Sequence, residues 1–433
     1  LEPHGLIIQR HGRRIVEGYW APHLAGDIRL VYSLSKTFTG TALGLAVGEG
    51  RLSLDDLVAD HLPDEMAGAA DITRRMRIRH IASMATGHDR EMLPEALVAD
   101  PHDPVRGFFT IAPDAEPGSL FAYNQPPVLA LATILQRLTG ERLVDYLRPR
   151  VFDPIGIGDL RWARPIEDID LGFSGVHTTL DAIARLGQLY LDDGVWDGQR
   201  RLPEGWVAQA SSVQSDNWMR EEPDWQQGYG FQLWMSKHGF RGDGAFGQYM
   251  VVLPQHDVVV AMFSCVENMQ TVMDLMWEHL LPAFGTAPAA PGPGDAALAE
   301  RLATLTQPTA GHRLGGGPPR PPSGGYTKKR LARSHSTITA VEVADDVVVI
   351  REDDWSVRLP LSLEWSSASP QIATSATTTD DGRTIVDVAF LATPHRLELN
   401  LEPRRRTFVA RWPLVPLFGA GIDRRLSSMV PPD

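Results

Sequence analysis

The first 280 residues begin and end with short apolar segments and carry longer helical patterns between them. Leu6 to Gln9 and Arg14 to Trp20 are rich in strand-forming residues and are separated by a glycine turn, which predicts an opening hairpin. The spacing of apolar residues predicts helices over Ser35 to Gly48, Val128 to Leu138 and Thr179 to Leu191.

Strand patterns return late in this part of the chain. Short apolar runs broken by glycine or proline predict strands at Tyr229 to Met235, Gln248 to Leu253 and Val258 to Phe263, and helical periodicity follows over Met269 to Leu281. Strands at both ends with helices between them predict an α/β fold. One antiparallel sheet is then flanked by helices, and an all-helical lobe leaves a cleft beside it.

The composition changes after this part. From Gly285 to Gly325 proline, glycine and alanine dominate, which predicts a linker with a short helix at Asp295 to Leu305. The remaining chain alternates short strands and turns, which predicts a small antiparallel barrel or sandwich, lipocalin-like or similar. Its predicted strands are Thr337 to Val343, Val347 to Arg351, Ser356 to Leu363, Thr384 to Leu391, Leu397 to Leu401 and Thr407 to Trp412. We therefore expect a first domain over 1–284, a linker over 285–325 and a β domain over 326–433.

Charge and composition narrow the class of partner. A formal net charge of -13 argues against a nucleic-acid partner or an anionic membrane surface, because binding to phosphates requires a basic face. The acidity lies before Tyr326, since the chain from there on carries fourteen basic and fourteen acidic side chains.

The single cysteine, Cys265, lies in an apolar run and is expected to be a buried, inert thiol. Neither a metal nor a cofactor is predicted, and the oligomeric state is left open.

The chain contains no apolar stretch near the roughly 18 to 20 residues that cross a bilayer. A cytoplasmic location is therefore the default expectation, and the missing initiator methionine is compatible with a removed leader.

The segment from Val31 to Gly40 carries the most informative chemistry. Ser33 precedes an apolar helix whose N-terminal amides favour an oxyanion, and Lys36 follows it by one turn. A serine hydroxyl needs an adjacent base near neutral pH, and a lysine becomes such a base where burial lowers its pKa. The alternative is a helix-capping serine with a surface lysine. The chain has only four lysines, and Lys36 alone has a serine three residues before it, which favours the catalytic interpretation.

Ser33 to Gly40 resembles the first motif of class C β-lactamases and of their esterase and amidase relatives, within the serine β-lactamase and penicillin-binding-protein superfamily. The resemblance continues in order through Gly50 to Asp56, Ile81 to Gly87 and Pro117-Gly118, and it covers Gly5 to Ala283. It implies an acylating serine at the first motif and a lysine beside it as the proton acceptor.

The resemblance also implies a role for Tyr123, which stands in the family's Tyr-x-Asn element just before a helix. Tyr123 would relay a proton between Ser33, Lys36 and the leaving group. The alternative is a packed aromatic residue whose hydroxyl is satisfied. Gln125 stands where the family usually has asparagine, and Asn124 lies one residue earlier, so either amide could orient the substrate and the lysine.

The family's third motif, Lys-Thr-Gly or His-x-Gly, corresponds here to Gly242, Asp243 and Gly244. The resemblance implies that the N–H groups of Ser33 and Ala245 form an oxyanion hole and that Asp243 and Gly244 contact the substrate. Gly242 removes the cation with which penicillin-recognising members hold a carboxylate, so the sequence is more similar to 6-aminohexanoate-dimer hydrolases and broad esterases.

The side chains around this motif leave several interpretations open. Arg241 could restore a positive charge and Asp243 could bind a substrate ammonium, or the two could form a solvated ion pair at a glycine-rich strand end. Four preceding aromatic residues could wall an acyl pocket or belong to the core: Trp218, Trp225, Tyr229 and Trp234.

Together these residues predict a cofactor-free serine hydrolase that acts on a small-molecule or short-peptide ester or amide through an acyl-enzyme at Ser33. An esterase or amidase is favoured over a β-lactamase. Two alternatives stay open: an acyltransferase that uses the same residues, and a non-catalytic binding or sensor module that kept the fold. Gln125 and Gly242 are the residues that favour the second alternative.

Overall fold

The computed structural model describes residues 1–164, 169–285, 292–329, 336–353, 355–417 and 419. Part of the predicted linker, residues 286–291, and the end of the predicted β domain, residues 420–433, lie outside the described residues.

A six-stranded antiparallel sheet joins the two ends of the first part of the chain, as the apolar pattern predicts. Its strands in spatial order are β2 (Arg13–Tyr19), β1 (Pro3–Arg10), β11 (Val258–Ser264), β10 (Gln248–Leu253), β9 (Gly239–Gly244) and β8 (Trp234–Ser236). Every residue of β10 and β11 is buried, because helices cover both faces of the sheet at its centre. Two small sheets accompany it: β3 (Arg29–Leu30), β5 (Val176–Thr178) and β4 (Leu160–Trp162), and β6 (Val195–Trp196) with β7 (Gln199–Arg200).

Helices fill the interval between the strands. They are α1 (Ser35–Gly48), α2 (Val58–His61), α3 (Asp71–Arg74), α4 (Ile78–Ala82), α5 (Leu93–Ala99), α6 (Pro104–Thr110), α7 (Pro126–Thr139), α8 (Leu143–Leu147), α9 (Asp153–Ile155), α10 (Leu180–Leu191), α11 (Trp206–Ala210), and later α12 (Met269–Leu275), α13 (Pro293–Ala303) and α14 (Ala310–Leu314). α10 packs on one face of the large sheet, where Gly187 admits Met250 and Val259. α1 packs on the other face and is buried along nearly its whole length.

The C-terminal part is a nearly closed β-barrel. Its nine strands are β12 (Gly324–Lys328), β13 (Ala340–Ala344), β14 (Val347–Glu352), β15 (Trp355–Pro360), β16 (Ser366–Ser369), β17 (Ile372–Thr378), β18 (Thr384–Phe390), β19 (Arg396–Glu402) and β20 (Thr407–Arg411). The sheet runs from β15 through β12 and β20 to β16, and β15 and β16 lie against each other at the seam. Because nine strands alternate in direction, the first and the last run the same way, so β12 and β20 pair in parallel.

Some predicted elements differ from the observed ones. The strand predicted at Tyr229 to Met235 is limited to β8, because a positive φ of 61° at Gln232 turns the chain just before it. The helix predicted to Leu281 leaves α-helical geometry at Leu275 and continues as a wider turn. The strands β12, β16 and β17 were absent from the sequence prediction.

A buried cation marks the contact between the first sheet and the barrel. The Arg29 guanidinium donates from Nη2 to His4 Nδ1 (2.6 Å) and to the Thr393 carbonyl (2.8 Å), and from Nη1 to His23 Nδ1 (3.1 Å). Because a guanidinium only donates, both histidines accept through Nδ1 and are neutral. Burial lowers the pKa of His4 and of His23, and the charge of Arg29 lowers both further. Glu2 also faces His4 at 3.6 Å.

We expect acidification to destabilise the fold through these histidines. The unfolded chain binds more protons on them than the folded chain, so the free energy of unfolding falls as the pH drops below about 6.5, by up to about 1.4 kcal/mol per pH unit per histidine. Melting temperatures at pH 7 and pH 5.5 measure this loss, and His23→Gln, which is neutral at both, should lose less than the wild type. His279→Gln, at an exposed histidine, is the control and should follow the wild type. An equal loss in His23→Gln and the wild type would contradict the explanation.

Candidate active site

Ser33 lies in a short 3-10 turn, Tyr32–Leu34, between β3 and α1. Ser35 holds this turn, since its hydroxyl donates to the Tyr32 carbonyl (2.6 Å) and accepts from the Val176 N–H (3.0 Å). Ser35 is fully buried and Ser33 is partly exposed. The hydroxyl of Ser33 is therefore the one that substrate can approach.

The amine of Lys36 is enclosed by polar atoms inside an apolar helix turn. Lys36 is 1% exposed, and its Nζ lies 3.1 Å from Ser33 Oγ, 2.7 Å from Gln125 Oε1 and 2.9 Å from the Phe173 carbonyl oxygen. Burial lowers the pKa of Lys36 to about 7, because a charged amine loses its hydration there. The structure thus brings Ser33 and Lys36 together on one helical turn.

The three contacts of Lys36 fix the direction of its lone pair. A neutral amine has two N–H donors and one lone pair, and the oxygens of Gln125 and Phe173 can only accept. Both N–H groups are therefore used by these two oxygens. The lone pair is left facing Ser33, which is the arrangement that a proton acceptor for the serine hydroxyl requires.

Tyr123 lies on the other side of the same pair. Lys36 Nζ lies 4.7 Å from the centre of its ring, and the ring stacks on Trp234 at 5.0 Å. Burial raises the pKa of Tyr123, the charge of Asp243 raises it further, and the Ser33 hydroxyl beside it acts in the opposite direction. Tyr123 is therefore a protonated phenol at neutral pH, placed next to both residues.

The two candidate amides have different surroundings. Gln125 contacts Lys36, so it lies where the family's asparagine is expected to act. Asn124 is fully buried and points away: its Oδ1 accepts from the Met92 N–H (3.0 Å) and its Nδ2 donates to the Arg90 carbonyl (3.3 Å). Its side chain therefore supports a loop beside the site.

The end of β9 packs directly against the turn that carries Ser33, Tyr32–Leu34. A Cβ on Gly244 would collide with the Val31 carbonyl and lie 3.2 Å from the Leu34 nitrogen, so only glycine fits there. This close approach brings the end of β9, which Ala245 follows, against the turn that carries Ser33. A Cβ on Gly242 would meet the side chains of Thr37 and Leu34, which would have to move to admit a larger residue.

Arg241 and Asp243 form a buried pair on the opposite side of β9 from α1. Arg241 Nε donates to Asp243 Oδ2 at 2.9 Å, and the guanidinium lies 4.2 Å from the centre of the Trp225 ring. Burial raises the pKa of Asp243, and the charge of Arg241 opposes this. The charge of Arg241 is thus used inside the protein, and a substrate ammonium would have to compete with it for Asp243.

A cleft of about 570 Å³ opens next to Tyr123. Three segments line it, residues 89–91, 118–123 and 214–220. Trp218 and Met219 line it and are 67% and 72% exposed. The aromatic residues near the third motif therefore divide into two sets: Trp225, Tyr229 and Trp234 are buried behind Tyr123, and Trp218 faces the cleft.

Two contributors to the site were absent from the sequence prediction. Glu91 accepts the N–H of Gln125 at 3.2 Å and holds a negative charge that raises the pKa of Lys36. The other is the backbone carbonyl of Phe173. Neither belongs to a sequence motif. Every residue has a backbone carbonyl, so the role of this one cannot be predicted from the residue types.

Other kinds of site were also sought. Within the described residues, no three histidine, cysteine, aspartate or glutamate side chains are grouped so that they could hold a metal ion. Among the same residues, no helix has the length and apolar character needed to cross a membrane.

The sheet, the helical lobe and the serine–lysine turn are the features that define the serine β-lactamase and penicillin-binding-protein superfamily. The family model described as β-lactamase matches residues 5–280, and the chain belongs to that family.

Relatives of several kinds share this fold. The chain is 26% identical over 281 residues to the 6-aminohexanoate-dimer hydrolase of Paenarthrobacter ureafaciens, a match that covers 60% of this chain and 71% of that protein. It is 26% identical over 270 residues to penicillin-binding protein 4 of Amycolatopsis lactamdurans, covering 54% and 70%. The octameric penicillin-binding protein homologue from Pyrococcus abyssi has a TM-score of 0.53 at 15% identity and covers 94% of this chain and 95% of its own. Its fold is therefore shared across both the first part and the barrel.

We expect the amine of Lys36 to titrate near pH 7. The chain has only four lysines, so NMR of protein labelled with carbon-13 at lysine Cε should resolve one signal with a midpoint at about 7. That signal should disappear in Lys36→Met and persist in Lys237→Met, the control. If every lysine signal titrated above pH 9, the neutral amine would be ruled out.

Proposed function

We propose that the chain is a serine hydrolase that cleaves an ester or amide through an acyl-enzyme intermediate on Ser33. The observation that supports this best is the buried Lys36 amine, whose two N–H groups are used by Gln125 and Phe173 and whose lone pair faces the Ser33 hydroxyl. A surface lysine that follows a capping serine would have no such contacts.

Acylation begins when Ser33 Oγ attacks the substrate carbonyl carbon and its proton passes to Lys36 Nζ. The carbonyl oxygen becomes an oxyanion, which the N–H groups of Ser33 and Ala245 stabilise. As the intermediate collapses, the bond to the leaving oxygen or nitrogen breaks. Tyr123 donates the proton that this leaving group needs, and Lys36 returns a proton to the phenol. A phenol whose pKa is raised by burial keeps its proton until then.

Deacylation uses the same groups in reverse order. A water molecule attacks the acyl carbon and passes its proton to Lys36, the bond to Ser33 Oγ breaks to release the acid, and Lys36 returns the proton to the serine oxygen. Neither half of the reaction needs a metal or a cofactor.

We propose esters and amides, and not β-lactams, as the better substrates. Gly242 offers no cation, and Arg241 is buried on Asp243 and Trp225, so neither is presented to a substrate carboxylate. Asp243 and Gly244 would contact the substrate from β9, and Trp218 with Met219 would offer apolar surface at the cleft. A small-molecule or short-peptide acyl donor suits these walls.

Acyl transfer to an amine or alcohol is the second candidate, because it needs the same acyl-enzyme and differs only in the acceptor. A non-catalytic sensor module is less well supported, since Gln125 takes up the contact with Lys36 that a degraded site would lose.

We also propose that residues 1–284 form the catalytic domain, with a linker over 285–325 and a β domain over 326–433. Two large clusters of buried apolar residues support this division, one confined to residues 7–276 and one to residues 326–412.

We expect a fluorophosphonate probe to label Ser33 alone, with peptide mass spectrometry as the readout. Ser33→Ala should abolish labelling and lower kcat/KM for a nitrophenyl ester by roughly 10⁴-fold or more, as loss of a nucleophile does. Tyr123→Phe should lower it by roughly 10²- to 10⁴-fold, the usual share of general acid–base catalysis. Ser53→Ala, at an exposed serine whose hydroxyl accepts the Asp55 N–H and which does not line the cleft, is the matched control. Labelling at a serine other than Ser33 would overturn the assignment.

We expect the rate of ester hydrolysis to rise with pH through about 7 and then level off. The active form of Lys36 is the deprotonated amine, and its fraction grows as the pH passes the pKa of about 7. Profiles of kcat/KM against pH for a nitrophenyl ester, a short peptide amide and a cephalosporin would show this, and the cephalosporin should be the poorest of the three. A cephalosporin cleaved faster than the ester would contradict the proposed substrate class.

Acyl transfer is tested by adding amines to the reaction. New acylated products should appear only if transfer to the amine competes with hydrolysis.

A further inference from the structure

The barrel reaches the nucleophile turn through one loop, residues 391–395, between β18 and β19. The Leu30 N–H donates to the Ala392 carbonyl at 2.9 Å, and Arg29 donates to the Thr393 carbonyl at 2.8 Å. Both donors belong to β3, which leads directly into the turn that carries Ser33. The loop therefore adds backbone contacts to the strand immediately before the nucleophile.

His395 ends this loop and binds the residue that precedes Ser33. Its Nε2 lies 2.5 Å from the Tyr32 hydroxyl, and both side chains are buried, at 2% and 1% exposure. Tyr32 has a φ of 49°, in the left-handed region that residues other than glycine rarely adopt. The hydrogen bond therefore holds a residue whose backbone conformation is unfavourable in isolation.

A residue with a positive φ also lies on the second side of the proposed oxyanion hole. Phe246, which follows Ala245, has a φ of 67°. Its ring meets the His395 ring edge-on at 4.7 Å and the Tyr32 ring at 5.4 Å. His395 thus touches the side chains of the two strained residues, one before Ser33 and one after Ala245.

We propose that His395 is a positioning residue for the reaction on Ser33: by binding Tyr32 and packing on Phe246, it holds the N–H groups of Ser33 and Ala245 in the geometry that stabilises the oxyanion. This rests on the proposed function and deepens it, since the barrel then supplies part of the active-site support. His395 is not among the residues that line the cleft beside Tyr123, and in this proposal it acts through its two neighbours. Displacement of a catalytic group by about 1 Å can cost roughly 100-fold in rate.

The proposal predicts a loss in kcat with little change in KM. We expect His395→Ala and Tyr32→Phe each to lower kcat for a nitrophenyl ester by about 10- to 100-fold and to leave KM within about threefold, because oxyanion geometry affects the transition state and not ground-state binding. The double variant should lose no more than the worse of the two single variants, since both remove the same hydrogen bond. His395→Gln, which can still reach Tyr32 through its amide, should recover part of the activity.

Glu2→Gln is the matched control for the contact between the two parts. Glu2 Oε2 lies 3.5 Å from Arg396 Nη2 across the same interface. Its kcat should stay within about twofold of the wild type. Melting temperatures and circular dichroism of all variants show whether each is folded, and Tyr32→Phe with His395→Gln provides the test if His395→Ala does not fold.

Three outcomes are decisive. Folded His395 variants with wild-type kcat, or an equal loss of kcat in Glu2→Gln, would overturn the positioning role alone. Full additivity in the double variant would also overturn it, because the two residues would then act separately. A wild-type chain that hydrolyses no ester and is not labelled on Ser33 would overturn the proposed function, and the positioning role with it.

Discussion

The site depends on one constraint, which is that the amine of Lys36 is buried away from solvent. A charged amine in an apolar interior costs several kcal/mol, whereas a neutral amine with both N–H groups satisfied is tolerated. α1 supplies the burial, and Gln125 and the Phe173 carbonyl supply the two acceptors. Glu91 and Asp243 limit the fall in pKa, so that it stops near 7. The amine is thereby neutral in a substantial fraction of molecules at neutral pH, and its remaining lone pair faces the Ser33 hydroxyl.

The close packing of β9 on the turn that carries Ser33 limits which side chains fit at Gly242 and Gly244, in the third motif. The backbone of Gly244 approaches the chain on both sides of Ser33 and leaves no room for a side chain, and a side chain at Gly242 would have to displace those of Thr37 and Leu34. The positive charge that other family members place here exists in this chain as Arg241. It lies on the other face of the strand, stacked on Trp225 and paired with Asp243, so its charge stabilises the wall and not a substrate anion. The substrate preference we propose follows from this packing.

Sequence reasoning succeeds where the signal is local. The bounds of α1 coincide with the predicted Ser35 to Gly48, because the apolar pattern of this helix and the glycine at its end both lie within one short stretch of sequence. β12, β16 and β17 escaped prediction because much of their sequence is glycine, alanine, serine and threonine. Ser375, for example, accepts the Ala310 N–H at 3.1 Å, and Thr374 donates to the Pro360 carbonyl at 2.7 Å, bonds that hydropathy does not record. The same holds for Glu91 and the Phe173 carbonyl, which tertiary folding alone brings to Lys36.

The choice of tyrosine at position 32 illustrates how the two parts are joined. A glycine would adopt the required positive φ at little cost, but it would leave the turn free to change conformation. Tyrosine makes the same conformation unfavourable in isolation and supplies a hydroxyl that is bound by a histidine 363 residues further along the chain. On the role proposed for His395, the docked barrel helps to hold the geometry next to Ser33. An active site whose chemistry lies wholly in the first part can in this way be made conditional on the fold of the second.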